Sequence, residues 1–540
     1  MNELVGTHLL LPAWERRAST VGFHDGEYHG DYGRHADRVL RLADAMHRQL
    51  GLTRDEPFAV LSVNSHQYLE LYHAAFFGAG VINPLNLRLS PRELQLVLAD
   101  SEARVIFVDE FFADHFDRAI EPVRDSLPLN RVVLVGGGDH PHDIRYEELL
   151  EAGHPVVPDE PEETDPVVLM YTGGTTGLPK GALLDQRAEL LNLYHVAMTV
   201  NLYEERVYLH QVPMFHAASM AAILGIPAIG GISVVQPLFE PGQAMDLTER
   251  YAVDWTLAVP TMLAMLLDHP QFRPERLASL RDLIYGASPM PAGLLERIRV
   301  ALPDLALWQG YGMTECSSVL TMLTDDDHRR GGDRLRSAGR PVLGVEIVVE
   351  DRGGNRLGPH ETGEVCTRAG NLFTSYWRRP RETEVAMHDG WYHTGDMGYL
   401  DEEGYLFLVD RLSDMIVTGG ENVYSLEVEN ALSTHPAVAE VAVFGVPHPT
   451  WGEEVHAVVV PRQGAEVSVE ELREHARTTI AGYKVPKSIE FRSEPLPTSG
   501  ALKPLKRELR RQYLERLAQA DRQPAGASTR EVGPAERAAR

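Results

Sequence analysis

"VVLMYTGGTTGLPKGALL", residues Val167–Leu184, decides the reading of this chain. An apolar run suited to one buried strand ends in a loop of glycine and threonine closed by a single lysine. Gly173, Gly174 and Gly177 let the backbone approach an anion closely, and successive N–H groups there can form an anion-binding nest. Thr172, Thr175 and Thr176 add hydroxyl donors, and Lys180 adds a point charge. The pattern G-x-x-x-x-G-K-[ST] is missed twice, by Pro179 before the lysine and Gly181 after it. Nothing therefore commits the loop to cleaving a terminal phosphate. Taken alone, a Gly/Thr loop reads as readily as a flexible turn between strand and helix.

Working outward, "FAVLSVN", "RVIFVDE" and "RVVLVGG" read as further buried strands. "SPRELQLVLADS" reads as a helix between the first two, with Ser90 as cap, Pro91 in the first turn and Glu93 completing a capping box. Strand and helix in alternation predict an α/β fold with substantial parallel sheet. "GYLDEEGYLFLVDR" predicts a hairpin turning at Asp401–Gly404. After Arg411 the pattern restarts with strands in "AEVAVFGVP" and "EVHAVVVP". A helix follows in "SVEELREHARTTI", capped by Ser468 with Glu471 and placing Leu472, Ala476 and Ile480 on one face. The expected organisation is a large N-terminal domain over 1–411 with several mixed sheets and packed helices. A small mobile α+β domain over 412–515 follows a hinge near 411–414, and 516–540, poor in large apolar residues, is expected to be disordered.

Length and composition agree with this. At 540 residues the chain exceeds one ordinary core, and 44% hydrophobic with 24% charged residues is usual for a globular protein. A net charge of −27 argues against a nucleic-acid partner held by its phosphates. No run is long enough to span a bilayer, the first residues lack the marks of a secretory leader, and two cysteines, Cys316 and Cys366, make no disulfide framework. A cytoplasmic protein is expected.

The string "YTGGTTGLPKG" closely resembles the phosphate loop of the adenylate-forming superfamily, which includes acyl-CoA synthetases, adenylation domains of peptide synthetases and luciferases. Other segments from about residue 10 to about residue 512 follow in the family's order. "YGASPMP", with Gly286, Ala287 and Ser288, resembles the segment whose backbone lies along adenine. "WQGYGMTE" resembles the one in which a tyrosine, here Tyr311 between Gly310 and Gly312, packs on the base. There Thr314 would approach the α-phosphate and Glu315 would help hold magnesium. Asp396 and Arg411 match positions that bind the ribose hydroxyls, and Lys503 matches the catalytic lysine, although Leu502 replaces the usual glycine before it and Ser413 the usual charged hinge. Gly419 and Gly420 resemble a pantetheine-channel loop, Trp451 an aromatic that stacks on the adenine of coenzyme A, and His216 a gate before the acyl tunnel.

Each residue also has a plainer local reading. Asp396 is a hairpin-capping carboxylate, Glu315 a solvated helix-start glutamate, and Trp451 a rim aromatic. His216 is then a satisfied structural histidine, and Lys503 joins Lys506 and Arg507 in a solvated basic face. "VPMFHAASMAAILGIPAIGG" carries no Arg or Lys to pair a second carboxylate, and its small residues either leave room for a chain or allow close helix packing. Ala258–Val259 do not supply the aspartate that holds an α-amino group in amino-acid-activating relatives. The resemblance thus implies a ligase using ATP, Mg²⁺ and coenzyme A to activate an apolar, medium- or long-chain fatty acid as acyl-AMP. A cyclic or aryl acid and transfer to a carrier protein are the alternatives, and a homodimer is left open. "GGGDHPHD" reads as a plain loop, His388 and His393 lack metal-binding spacing, and Cys316 reads as a buried thiol, so neither place is expected to hold a metal.

Overall fold

A computed structural model describes residues 4–522 apart from 139, 173–178, 201, 204, 289, 412–413, 419–420, 449–450 and 499–503; for 411, 421–422 and 518–522 it describes the backbone alone. Gly173, Gly174, Thr175, Thr176, Gly177, Ser413, Gly419, Gly420, Leu502 and Lys503 lie outside the described residues. The chain divides into two compact units between Ser413 and Asp414, the first also taking in Thr498–Lys503.

The first unit is α/β and contains three sheets among the described residues. In an eight-stranded sheet the central strands Val81–Pro84, Pro57–Leu61, Val105–Asp109 and Arg131–Val135 run parallel. Pro57–Leu61 and Val105–Asp109 are buried throughout, as expected where helices cover both faces of a parallel sheet. One covering helix is Pro91–Ser101, which starts at the anticipated Ser90–Glu93 capping box. The strand Pro166–Thr172 adds parallel to this core, and Lys180–Asp185 returns antiparallel to it with Thr172 opposite Lys180.

A nine-stranded sheet carries Val207–His210, Trp255–Ala258, Asp282–Gly286 and Ala306–Tyr311 as successive parallel neighbours. Their carboxyl ends therefore open on one edge, where ligands of open α/β sheets bind. The helix Met220–Ala228 is buried along its length, and a Cβ added at Gly225 would lie 2.6 Å from Leu193 Cδ1. For Gly225 the small side chain serves helix packing. The third sheet is antiparallel and contains Glu346–Glu350, Gly363–Arg368 and Trp391–Leu400. The last pairs with Leu406–Arg411 in the expected hairpin, where Asp401 N–H donates to the Tyr405 carbonyl.

The second unit has the hairpin Val438–His448 with Gly452–Pro461 and the helix Val469–Arg477, capped by Ser468 and Glu471. Leu472, Ala476 and Ile480 pack with Val443 and Val455 into its core. Its terminal helix runs from Lys506 to Arg522, beyond residue 516, where disorder was expected to begin. Within this helix Arg511 pairs with Glu508 and Glu515, and Arg516 with Glu490, while Leu509 and Tyr513 pack against Ala442, Phe444 and Val458 of the hairpin. Lys506 pairs with Glu429 at 2.8 Å and donates to Ser425 Oγ at 2.6 Å, so it is not part of a solvated basic face. No helix among the described residues is long and apolar enough to cross a membrane.

Candidate active site

The carboxyl ends of Asp282–Gly286 and Ala306–Tyr311 build one wall of the site. Gly286 pairs with Gly310, and a Cβ at 286 would lie only 2.4 Å from the Gly310 carbonyl oxygen. Ala287 then turns with φ +65°, a left-handed conformation that costs a non-glycine residue about 1–2 kcal/mol. Strain of this kind collects at binding sites, where surrounding structure enforces it. Ser288 follows, half-buried. Beyond Tyr311 the chain passes under its own loop so tightly that a Cβ on Gly312 would lie 2.1 Å from the Ser318 carbonyl oxygen.

This loop holds its polar residues from both ends. Tyr311 Oη–H donates to Asp396 Oδ2 at 2.8 Å, which pins the ring between its flanking glycines. Burial and the Asp396 carboxylate push this phenol well above its ordinary pKa. Asp396 is 7% exposed, its N–H bonded to Thr394 Oγ1 at 3.1 Å, and it stands opposite Arg411 in the hairpin register. It is a buried acceptor held by a tyrosine, not a solvated hairpin cap. Thr314 and Glu315 lie in the short turn Thr314–Cys316. Glu315 is 8% exposed, so the solvated reading of this glutamate also fails. Its Oε1 accepts Tyr376 Oη–H at 2.8 Å.

Tyr376 connects two parts of the site. It pairs with Ala182 on the strand that leaves the phosphate-like loop, and Lys180 Nζ lies 5.0 Å from its ring centroid. Lys180, Tyr376 and Glu315 thus form one contiguous group. Thr172 Oγ1 meets the Lys180 carbonyl at 3.4 Å, closing the neck of the hairpin. Asn371 is the second residue that local sequence does not reveal. Fully buried, it donates Nδ2–H to the carbonyls of Cys316 and Val319, both at 2.8 Å, while its main-chain carbonyl accepts Ser317 Oγ–H. These bonds fix the loop that carries Thr314 and Glu315. Neither residue sits in a motif; only long-range strand pairing and loop packing bring them in.

His216 follows the parallel strand Val207–His210, and its Nδ1 accepts the Ala218 N–H at 3.3 Å, capping the turn Ala217–Ser219. It therefore has at least a structural task. Cys316 is buried, and desolvation holds its thiol up to about 12, which leaves it protonated. In the second unit Trp451 is 50% exposed, its ring edge-on to His448 at 6.2 Å, so one aromatic face is not spent on packing.

Comparison with known proteins places these features in a family. Residues 13–377 match the model for "AMP-binding enzyme", and 427–503 match that for its C-terminal domain. A feruloyl-CoA synthase from an Amycolatopsis species is 38% identical over 511 residues, covering 93% of this chain and 99% of the relative. The o-succinylbenzoate CoA synthetase of Bacillus subtilis is similar in two solved states. With its acyl-adenylate intermediate the TM-score is 0.80 at 28% identity, covering 94% of this chain and 98% of the other. With ATP and a magnesium ion it is 0.78 at 29%, covering 92% and 98%. On this evidence the chain belongs to the AMP-binding enzymes, the adenylate-forming superfamily, among its acid–thiol ligases.

Proposed function

We propose that this ligase joins an apolar carboxylic acid to coenzyme A through an acyl-adenylate. An acid oxygen bonds to the α-phosphorus of ATP as the bond to pyrophosphate breaks; the thiol of coenzyme A then bonds to the acyl carbon and AMP leaves. The observation that carries this reading is the loop Tyr311–Glu315, which ties a buried ribose-type acceptor, Asp396, at one end to a buried carboxylate beside Lys180 at the other. Tyr376 links that carboxylate to Lys180, so groups suited to a sugar and to phosphates share one loop.

In this reading Gly286, Ala287, Ser288, Gly310, Tyr311 and Gly312 border the base, and Asp396 with Arg411 takes the ribose. The loop 172–177 and Lys180 cradle the outer phosphates, and Thr314 faces the α-phosphate. Because the donors at Gly173–Gly177 cradle a leaving group, the departures from the P-loop pattern cost nothing. A hard oxygen donor in a protected place suits Mg²⁺, and Glu315 fits that need. Bound there with phosphate oxygens, the ion supplies charge neutralisation for the departing pyrophosphate. Lys503 supplies an ammonium to the reacting carboxylate and α-phosphate. His216 borders the acyl group, and Gly419, Gly420 and Trp451 receive coenzyme A.

For the acid we favour a compact aryl or aryl-alkenyl carboxylate over a long alkyl chain. Ala221 and Ala222 lie in a core cluster with Tyr208 and Trp255, and Gly225 is spent on helix packing, so these small residues support close packing over a long tunnel. The 38% identical relative is named for an aryl-alkenyl acid. The test is acid-dependent exchange of labelled pyrophosphate into ATP across cinnamic-type, benzoic and C6–C16 fatty acids, followed by thioester formation with coenzyme A. Cinnamic-type acids are expected to exchange at least about tenfold faster than the fatty acids. A fatty-acid preference overturns the acid class, and exchange without any acid overturns the reaction.

A further inference from the structure

His388 and His393 carry no metal spacing in sequence, but folding brings His393 to partners from two other strands. Glu350, Cys366 and His393 lie on three neighbouring antiparallel strands, and one ligand atom from each falls within 4.8 Å of the others. Cys366 Sγ is 3.3 Å from His393 Nδ1, which in turn is 3.3 Å from Glu364 Oε2. A register shift between Glu364 and Cys366 against Trp391–Leu400 produces this convergence, setting His393 opposite Cys366 on the strand that also bears Asp396. Cys366 is fully buried, while the His393 and Glu364 side chains are 14% and 28% exposed, so the group opens towards solvent on one side.

We propose that Cys366, His393 and Glu350, with the neighbouring Glu364 turning in as a fourth ligand, form a binding site for a borderline-soft divalent ion of the Zn²⁺ class, separate from the nucleotide site. Thiolate, imidazole and carboxylate together are the donors that Zn²⁺ takes in four-coordinate sites, and not those of Mg²⁺. Tetrahedral ligands at zinc bond lengths stand about 3.4–3.5 Å apart for S–N and O–N pairs. The two observed 3.3 Å separations come within a few tenths of an ångström of that without backbone movement. Glu364 Oε1 also accepts the Gly395 N–H at 3.2 Å, an outer contact of the type that orients a ligating carboxylate. Burial and the carboxylates of Glu364 and Glu350 hold the Cys366 thiol up to about 12, so without an ion it is a poor nucleophile, which disfavours a reactive-cysteine role. On binding, the sulfur–metal bond replaces the S–H bond and the proton passes to buffer.

The experiment uses the full chain freed of metal by chelation and dialysis, with no nucleotide present. Titration with Co²⁺ is expected to give a thiolate-to-cobalt charge-transfer band in the near ultraviolet, saturating at one ion per chain and abolished by one equivalent of Zn²⁺. Cys366→Ser should remove the band and Cys316→Ser should retain it. His393→Gln and Glu350→Gln keep the thiol and should weaken Co²⁺ binding at least about tenfold, which keeps the test decisive if Cys366→Ser folds poorly. A wild-type chain without the band, a band that survives Cys366→Ser, or unchanged affinity in both other variants overturns the site.

Discussion

Asp396 and Tyr376 hold the two ends of the loop Tyr311–Glu315, each through a hydrogen bond whose loss has a distinct readout. Asp396→Asn keeps the shape but removes the negative charge that accepts Tyr311 Oη–H and, in the proposed function, the sugar hydroxyls. Bonds to charged groups contribute about 1.5–3 kcal/mol, so the KM for ATP should rise about 10- to 100-fold, with the KM for the acid little changed. Equal effects on both substrates would detach Asp396 from the ribose. Tyr376→Phe leaves the ring beside Lys180 and removes the donor to Glu315 together with the hydroxyl contact to Tyr392. Pyrophosphate exchange should fall about tenfold and recover in part at raised magnesium. An unchanged magnesium dependence would separate Glu315 from the metal.

At the level of elements, legibility depended on how local the cause was. The capping boxes Ser90–Glu93 and Ser468–Glu471 and the turn at Asp401–Gly404 each close within a few residues, and the structure has them as read. The loops after Gly286 and Tyr311 were legible as motifs because their glycines are demanded by backbone contacts nearby. Asn371 and Tyr376 act on a loop some sixty residues away, through register and burial that no local pattern encodes. Gly225 and its small neighbours fitted two accounts until the position of Leu193 decided for packing at Gly225. Helix Lys506–Arg522 runs past the expected boundary, anchored by Leu509 and Tyr513 on the hairpin and by the ion pairs of Arg511 and Arg516, contacts that composition does not show. Gly312→Ala tests the element-level claim. Its Cβ would meet the Ser318 carbonyl at 2.1 Å, so the loop must shift. Adenylation is expected to drop at least about 100-fold, whereas the melting temperature should fall by only a few degrees, since strain at one loop costs roughly 1–3 kcal/mol.

Across the whole molecule, stability against pH is set by buried groups of opposing sign. Burial lowers His73 to about 4 and His210 to about 3 from an ordinary 6.5. Both stay neutral in the folded chain while the unfolded chain takes up protons below 6.5. Their contribution is complete above pH 6.5 and is lost as pH falls towards 4, by about 2 kcal/mol each at pH 5. Glu189 works the other way. Its carboxylate is fully buried, neither oxygen has a partner among the described residues, and desolvation holds its pKa well above 4.5. Its contribution is present below 4.5 and lost as pH rises, so it offsets the histidines between. Glu189→Gln should therefore raise the urea midpoint at pH 7.5 and steepen its decline between pH 6.5 and 4.5. A parallel shift at all pH values would mean that Glu189 is not protonated in the fold. The apposed backbones at Gly286 and Gly310 carry a last consequence, for anyone re-engineering what this enzyme accepts. A Cβ at Gly286 meets the main chain of Gly310, where there is no side chain to trade, so variant libraries at Gly286 should yield mostly dead clones. In the proposed function His216 borders the acyl group, and its side chain can be exchanged at the cost of one turn-capping bond, so useful diversity is to be sought there.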